Sequence, residues 1–389
     1  MKLMKTHIAT KTAGAVLWKS QIQKATSGSL YLHVPFCKKK CPYCHFFVTP
    51  HQEEGVKNFL KGIALEWQQK KDLFDEIITI YIGGGTPSLL APKQVEELLS
   101  LFPKASKEIT LEANPNDVTE EKMRAFKEAG INRVSIGVQS FDDETLQRIG
   151  RTHSAQKALD AIEMTYKAGI ENISIDLMYD LPEQTLTSWQ KSLEQVEKLP
   201  ISHLSLYNLT FEEGSSYFKH QKKLLPLVPK EEDSLAMLEM AVERFEAFGF
   251  NRYEISAFAR DGKVSNHNLG YWIGRPFLGL GPAAFSYTEG SRFQNAPHLA
   301  RWFQKVTIGE DPTFFKETLT YPNNILELFA VRLRLMEGVD LLDFPTLPEE
   351  ALKTVEELVD QELLTKKDSI IQLSKRGTLF YDSIASAII

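Results

Sequence analysis

The sequence predicts an α/β fold: a partial, TIM-like (β/α)6 barrel, a C-terminal extension of it, and a small, mainly helical C-terminal domain. Three observations predict it. Short β-branched or apolar runs alternate with amphipathic helical stretches six times between Ser29 and about Leu209, as a parallel sheet with right-handed crossovers requires. Polar or glycine-rich residues follow each of those runs, so the chemistry gathers on one rim. That is the pattern of a barrel, whereas a doubly wound sheet concentrates binding at one switch point. From about Tyr321 the pattern then changes to Leu-rich helices.

The elements follow in order. Residues 1–27 are expected to form a polar extension rich in Lys, Thr, Ser and Ala, in which only Ala15, Val16, Leu17 and Trp18 offer a brief apolar stretch. The predicted strands are Leu30–Val34, Ile77–Ile82, Glu108–Glu112, Arg133–Val138, Ile173–Asp176 and Leu204–Asn208. Helices are predicted between them over Glu53–Lys71, Lys93–Phe102, Thr119–Ala129, Ala155–Ala168 and Ser188–Leu199. Past Glu213 come a long helix, Lys230–Phe248, a strand-like Arg252–Phe258, and Gly-rich turns through Gly279-Leu280-Gly281-Pro282. The last segment carries helices over Ile325–Met336 and Glu349–Leu364, a strand at Ile370–Leu373 and a terminal helix from Gly377. It suits a winged-helix shape, but it is not basic, so protein contact or packing fits it better than DNA. The expected divisions are 1–27, 28–215, 216–315 and 316–389.

Composition narrows the function classes. No apolar run approaches the ~18 residues of a transmembrane helix, the first 30 residues lack the core and cleavage site of a signal peptide, and cysteine is absent outside one loop. A reducing cytoplasm is the expected location. Charge is uneven. Residues 1–52 hold eight lysines and no acidic residue, so the rest of a chain of net charge −6 carries −14. Lys38, Lys39 and Lys40 are suited to offset thiolate charge, or to attract a carboxylate-bearing ligand or an anionic membrane surface at which the protein is peripheral; a solvated loop is the plainer reading. No basic, aromatic-interleaved stripe points to nucleic acid.

Cys37, Cys41 and Cys44, spaced C-x3-C-x2-C, are the only cysteines. Three thiolates on one short loop can hold three irons of a cubane iron–sulfur cluster and leave the fourth iron open to a small molecule. Other readings stay open at this point. Cys41-Pro42-Tyr43-Cys44-His45 also spells the C-x-x-C-H signal of c-type haem attachment, which requires export. A Cys3His zinc site would use His45, although adjacent ligands rarely close one tetrahedral ion. A structural disulfide fails on the odd count.

Gly83-Gly84-Gly85-Thr86-Pro87 follows the second strand, where a glycine run allows close backbone approach and Thr86 adds a hydroxyl. With Tyr31-Leu-His-Val-Pro-Phe-Cys37-Lys-Lys-Lys-Cys41-Pro-Tyr43-Cys44 before it, the sequence resembles the radical S-adenosylmethionine (SAM) superfamily. The branch it resembles holds oxygen-independent coproporphyrinogen III oxidase (HemN) and the haem chaperone HemW, and the likeness runs from residue 29 to 389. It implies a radical SAM barrel whose 4Fe-4S cluster, on Cys37, Cys41 and Cys44, binds SAM and supplies the electron that cleaves it to methionine and a 5′-deoxyadenosyl radical. It also implies SAM contacts from Tyr31, Tyr43, Gly85, Thr86, Glu112, Gln139, Arg151, Asp176 and, as a weaker match, Thr210. SAM combines an ammonium, a carboxylate, a ribose diol and a sulfonium, so acidic, amide and guanidinium groups suit it.

Two features separate the sister families. The oxidase pattern continues to a further cysteine where this chain has Phe46, and His267-Asn268-Leu-Gly-Tyr271-Trp272 matches the HNxxYW signature of the chaperones. The resemblance therefore implies a haem chaperone with His267 as a haem ligand and Tyr271 and Trp272 stacking on the porphyrin. Its expected partners are haem, haem-requiring proteins such as respiratory membrane enzymes, and an electron donor, and a homodimer is compatible with the family. The alternative is the oxidase, which decarboxylates coproporphyrinogen III propionates. His45, where this family often has Asp, departs from the pattern.

Overall fold

The computed structural model describes residues 27–288 and 290–389. The basic N-terminal extension lies outside them. Six parallel strands pair in chain order, β1 (Ser27–Val34), β2 (Glu76–Gly84), β3 (Glu108–Ala113), β4 (Arg133–Gln139), β5 (Asn172–Tyr179) and β6 (His203–Asn208). Each predicted strand is present. The crossover helices α1 (Glu53–Lys70), α2 (Pro92–Ser100), α3 (Glu120–Glu128), α4 (Ala155–Lys167) and α5 (Leu186–Val196) also sit where the apolar periodicity put them. Side-chain caps start three of them: Thr119, Ser154 and Thr185 accept from the backbone N–H three residues on.

The strands divide their side chains by period two. Leu30, Leu32, Ile80, Ile82, Leu111, Val134, Ile136, Ile173, Ile175 and Leu204 join the apolar core beneath the helices. The alternate positions, among them Thr79, Tyr81, Thr110, Glu112, Ser135, Asp176 and Ser205, form a polar set that the register brings side by side: Tyr31 is level with Tyr81, Glu112 with Ser135, and Asp176 with Ser205. A sheet that is polar on its concave face is building a site there.

The extension corrects two readings. Arg252–Phe258 is not one strand but two, β7 (Asn251–Glu254) and β8 (Ala257–Ala259), with β8 antiparallel to β6. The stretch read as turns at Gly279 and Leu280 ends a seventh parallel strand, β9 (Phe277–Leu280), which pairs with β1. Its glycine hid it. A Cβ at Gly279 would run into the Phe285 carbonyl, so only Gly permits the close pairing with β10 (Phe285–Thr288). With β11 (Ser291–Asn295) and β12 (Thr313–Thr318) added beyond β10, the sheet has twelve strands among the described residues. Before β9 runs the short helix α6 (Asn266–Trp272), which carries the HNxxYW residues.

The C-terminal segment has its own apolar core, from Ile325 to Ile388. It comprises α7 (Asn323–Arg332), α8 (Glu349–Asp360), α9 (Tyr381–Ile388) and a three-stranded sheet that includes Leu364–Lys367 and Ile370–Leu373. The predicted helix over Glu349–Leu364 is therefore too long. Glu362, at φ +59°, turns the chain and Leu364 opens a strand. The terminal helix starts at Tyr381, after a short 3-10 turn at Gly377–Leu379. Arg334 holds this unit against the extension, bonding Glu254 at 3.0 Å and Ser256 at 3.1 Å while lying over the Trp272 ring. Arg292 on β11 bonds Glu327 on α7 at 3.1 Å.

Candidate functional site

The barrel mouth is built from strand ends. Glu112, near the end of β3, accepts from the Tyr81 hydroxyl at 2.8 Å and from the Gly84 N–H at 3.1 Å. Burial pushes its carboxyl up to about 7, against the pull of the Tyr81 bond. Asp176 on β5 accepts from Ser135 at 3.4 Å and is pushed up to about 6, again chiefly by burial. Two carboxylates that gain from a cationic neighbour thus face one space. The glycines are required here: a Cβ on Gly83 would sit 3.1 Å from the Glu112 carboxylate, and one on Gly85 would meet the Phe36 carbonyl at 2.7 Å. The run lets β2 pass tightly under the start of the cysteine loop, and the Gly85 N–H donates to the Val34 carbonyl at 2.8 Å.

Cys37, Cys41 and Cys44 are all half-buried free thiols on the loop that leaves β1. Several neighbours hold that loop. Thr86 Oγ1 lies 3.3 Å from Cys37 Sγ, and the Arg151 guanidinium donates to Cys41 Sγ at 3.7 Å and to the Gly137 carbonyl. Gly150, at φ +75°, leaves room for Pro42, whose carbonyl accepts from Tyr217 N–H at 2.9 Å. Tyr43 packs edge-on to Tyr217. Burial pushes the Cys37 and Cys44 thiols up, because it disfavours the thiolate form. Among the described residues no three Cys, His, Asp or Glu side chains converge on one point as a single metal ion requires. In a cubane each thiolate takes a different iron.

Two polar atoms in the mouth have no partner among the described residues. Gln139, at φ +72° on the bulge that ends β4, leaves its Oε1 buried without a hydrogen bond, and Arg151 Nε is likewise unpaired. Buried polar groups are ordinarily satisfied. An amide, a guanidinium and two carboxylates facing one space beside three thiols fit the polar groups of SAM beside a cluster.

His267 lies elsewhere. It is 1% exposed, inside the barrel between the rings of Tyr81 and Tyr271, with Nδ1 2.7 Å from Thr79 Oγ1 and Nε2 2.8 Å from Tyr271 Oη. Burial pushes it down to about 3, so the ring is neutral. Glu108 anchors the start of α6 by accepting from the Asn266 and His267 N–H groups, at 2.8 and 3.2 Å. Both His267 nitrogens are engaged, and the ring meets no open space. Thr210 is the other outlier, exposed and bonded to Glu212 at 3.0 Å. Of the three lysines, Lys38 pairs with Asp117 at 2.6 Å, and Lys40 donates to the Phe46 carbonyl at 3.0 Å.

Sequence reasoning missed a cavity of about 1130 Å³ beside the mouth. Its walls come from Tyr31, from Lys40 and His45–Val48 of the cysteine loop, from Tyr271 and Trp272 of α6, from the β9–β11 strands and β12, and from α7. Phe46, Phe285 and Phe315 line it while 50%, 48% and 42% exposed. Arg275 stands in the wall without an ion pair among the described residues, and the Trp272 indole N–H is buried without a partner. The HNxxYW motif was the only signal for it, and that motif names two of its many wall residues. Tyr81 and Arg133, which is 2% exposed, were missed as well, though period-two alternation places both on the polar face.

Comparison with known proteins agrees with this geometry. The family model of the radical SAM superfamily matches residues 31–196, and that of the HemN C-terminal domain matches residues 319–380. The heme chaperone HemW of Bacillus subtilis is 32% identical over 374 residues, spanning 93% of this chain and 99% of that protein. The mitochondrial radical S-adenosyl methionine domain-containing protein 1 of Mus musculus is 34% identical over 386 residues, spanning 92% of this chain and 87% of that protein. The structure of coproporphyrinogen III oxidase (HemN) from Escherichia coli superposes with a TM-score of 0.81 at 21% identity, covering 95% of this chain and 92% of that one, which establishes the shared fold. The chain belongs to the radical SAM superfamily and, within it, to the HemW family.

Proposed function

We propose that this protein binds haem in the aromatic cavity and hands it to haem-requiring proteins, with a 4Fe-4S cluster on Cys37, Cys41 and Cys44 and SAM in the barrel mouth. The observation that carries the haem reading is the cavity itself. At about 1130 Å³ it exceeds the ~300–1,000 Å³ of ordinary small-molecule clefts. It is walled by aromatic rings, carries Lys40 and Arg275 for propionates, and adjoins the cysteine loop. Half-exposed Phe46, Phe285 and Phe315 around it are apolar surface awaiting a flat apolar ligand.

The chain's own residues divide the work. Glu112 and Asp176 offer carboxylates to cationic SAM, Gln139 and Arg151 complete its polar contacts, and Thr86 and Arg151 steady the sulfurs of Cys37 and Cys41. When bound, the cluster and SAM supply one-electron chemistry. Tyr271 links the barrel interior to the cavity: its hydroxyl bonds His267 and its ring lines the cavity. His267 thereby fixes the wall on which a porphyrin would stack.

The test is anaerobic titration of reconstituted protein with haem, followed by incubation of the same preparation with SAM, reductant and coproporphyrinogen III. Stable haem binding with no decarboxylated product is the expected result. Protoporphyrinogen IX formed over many turnovers would overturn it in favour of the oxidase.

A further inference from the structure

The geometry points to His45, on the cysteine loop, as the side chain that ligates the iron of a haem seated in the aromatic cavity. The inference rests on the haem reading above and adds to it the identity of the protein ligand.

An iron porphyrin held by a protein takes an axial donor from His, Cys, Met or Tyr. The cavity wall contains no Cys and no Met, and its histidines are His33 and His45. His33 is 4% exposed, with Nδ1 3.0 Å from Tyr31 Oη and Nε2 2.9 Å from the Phe47 carbonyl, so both of its nitrogens are occupied. The family-signature histidine, His267, has both nitrogens occupied as well and does not line the cavity. Tyr31 and Tyr271 spend their hydroxyls on His33 and His267, and burial raises the titration of Tyr31, Tyr271 and Tyr287. Phenolate ligation is therefore disfavoured at each.

His45 differs on every count. It is exposed and lines the cavity, and its ring makes no hydrogen bond among the described residues. Its ring centroid lies 4.6 Å from that of Phe46 at a 38° tilt, so an aromatic neighbour steadies it. Phe46 is itself half-exposed in the same wall, and Lys40, across the loop, donates to the Phe46 carbonyl and brings an ammonium to the cavity. An imidazole, a stacking phenyl ring and a propionate partner thus come from one seven-residue stretch, Lys40 to Phe46. In a solvated loop these three would have no reason to face a common space.

The position has a further consequence. His45 follows Cys44 directly, so a haem held by His45 is anchored one residue from a cluster ligand, about 3.8 Å between the Cα atoms. Loss of the cluster should therefore loosen the loop and disturb the haem ligand with it.

The experiment is titration of reconstituted wild type, His45→Ala, His45→Gln and Phe285→Asp proteins with ferric haem. Difference absorption and electron paramagnetic resonance report the ligation, and iron content of the cluster serves as the control. His45→Ala and His45→Gln are expected to keep the cluster, to bind haem roughly tenfold or more weakly, and to lose the imidazole-ligated signature. Added imidazole should restore that signature, which a merely structural role for His45 would not allow. Phe285→Asp should weaken binding and leave the ligation signature of the remaining complex unchanged. Wild-type spectra and affinity in both His45 variants would overturn the assignment and leave the haem reading standing. Failure of the wild type itself to bind haem would overturn both.

Discussion

The barrel mouth and the aromatic cavity share the cysteine loop as a wall, yet they are built in opposite ways. The mouth takes Glu112, Gln139 and Asp176 from successive parallel strands, where register fixes their neighbours and hydrogen bonds hold the two carboxylates before any ligand arrives. The cavity takes its walls from a loop, a short helix, antiparallel strands and the C-terminal unit, and leaves phenyl rings half exposed. A preorganised polar site selects charge and orientation. An apolar wall assembled from separate segments can admit a large flat ligand and release it again, which suits a carrier more than a catalyst.

The hardest way to break the comparison is through the wall the two regions share. Replacing Cys37, Cys41 or Cys44 singly by Ser should abolish the broad iron–sulfur absorbance and the cluster iron of reconstituted protein. Retention of a full cluster in any one variant would remove that residue as a ligand.

Glu112 tests the polar side alone. A buried charged hydrogen-bond partner is worth roughly 1.5–3 kcal/mol, so Glu112→Gln should weaken SAM binding by about 10- to 100-fold and leave haem affinity unchanged. The pH dependence carries a definite sign. The folded-state carboxyls of Glu112 and Asp176 are raised, to about 7 and about 6 from ordinary values of 4.5 and 3.8. Their protonated forms therefore contribute stability that is fully present below pH 4 and is lost as pH rises through 6 to 7. SAM affinity should rise over the same interval, because the carboxylate form meets the cation. Calorimetric titration from pH 5.5 to 8 that shows equal affinity throughout would sink the role given to Glu112.

The difference also decides what could be read before the structure was known. Polar residues at the ends of the predicted strands made Glu112 and Asp176 legible as rim residues, and the alternation of strand and helix runs made the (β/α) pattern legible as a curled sheet. β9 was not legible, because Gly279 and Gly281 imitate a turn, and the need for glycine at 279 lies in the Phe285 carbonyl on the next strand. The C-x3-C-x2-C spacing was local and therefore readable. The cavity joins residues as distant as Lys40 and Val331, and no periodicity relates them. His267 shows the limit of motif reading: the signature identified the helix, while the burial of its histidine depends on Thr79 and Tyr81 from another strand.

On the apolar side, Phe285→Asp and Phe315→Asp place a carboxylate in the wall proposed to take a porphyrin face. Each removes an apolar contact of roughly 1.5–3 kcal/mol. Haem affinity should fall about tenfold or more, while cluster content and SAM affinity stay at wild-type levels. Loss of SAM binding in these variants would show that the two regions are one site and end the comparison.

Thr210 should give the smallest effect, and its smallness is informative. It stands just beyond β6, the last strand of the polar series, where the family resemblance expects a cofactor contact. Its hydroxyl instead donates to Glu212 at 3.0 Å, and the residue is exposed. An exposed side chain away from the core is usually worth no more than about 0.5 kcal/mol, so Thr210→Ala should change SAM affinity by less than about threefold. A larger loss would mean that the loop after β6 folds over bound SAM and extends the mouth to a sixth strand. Polar preorganisation would then be incomplete without the ligand, and the contrast between a rigid mouth and an adaptable cavity would weaken at that edge.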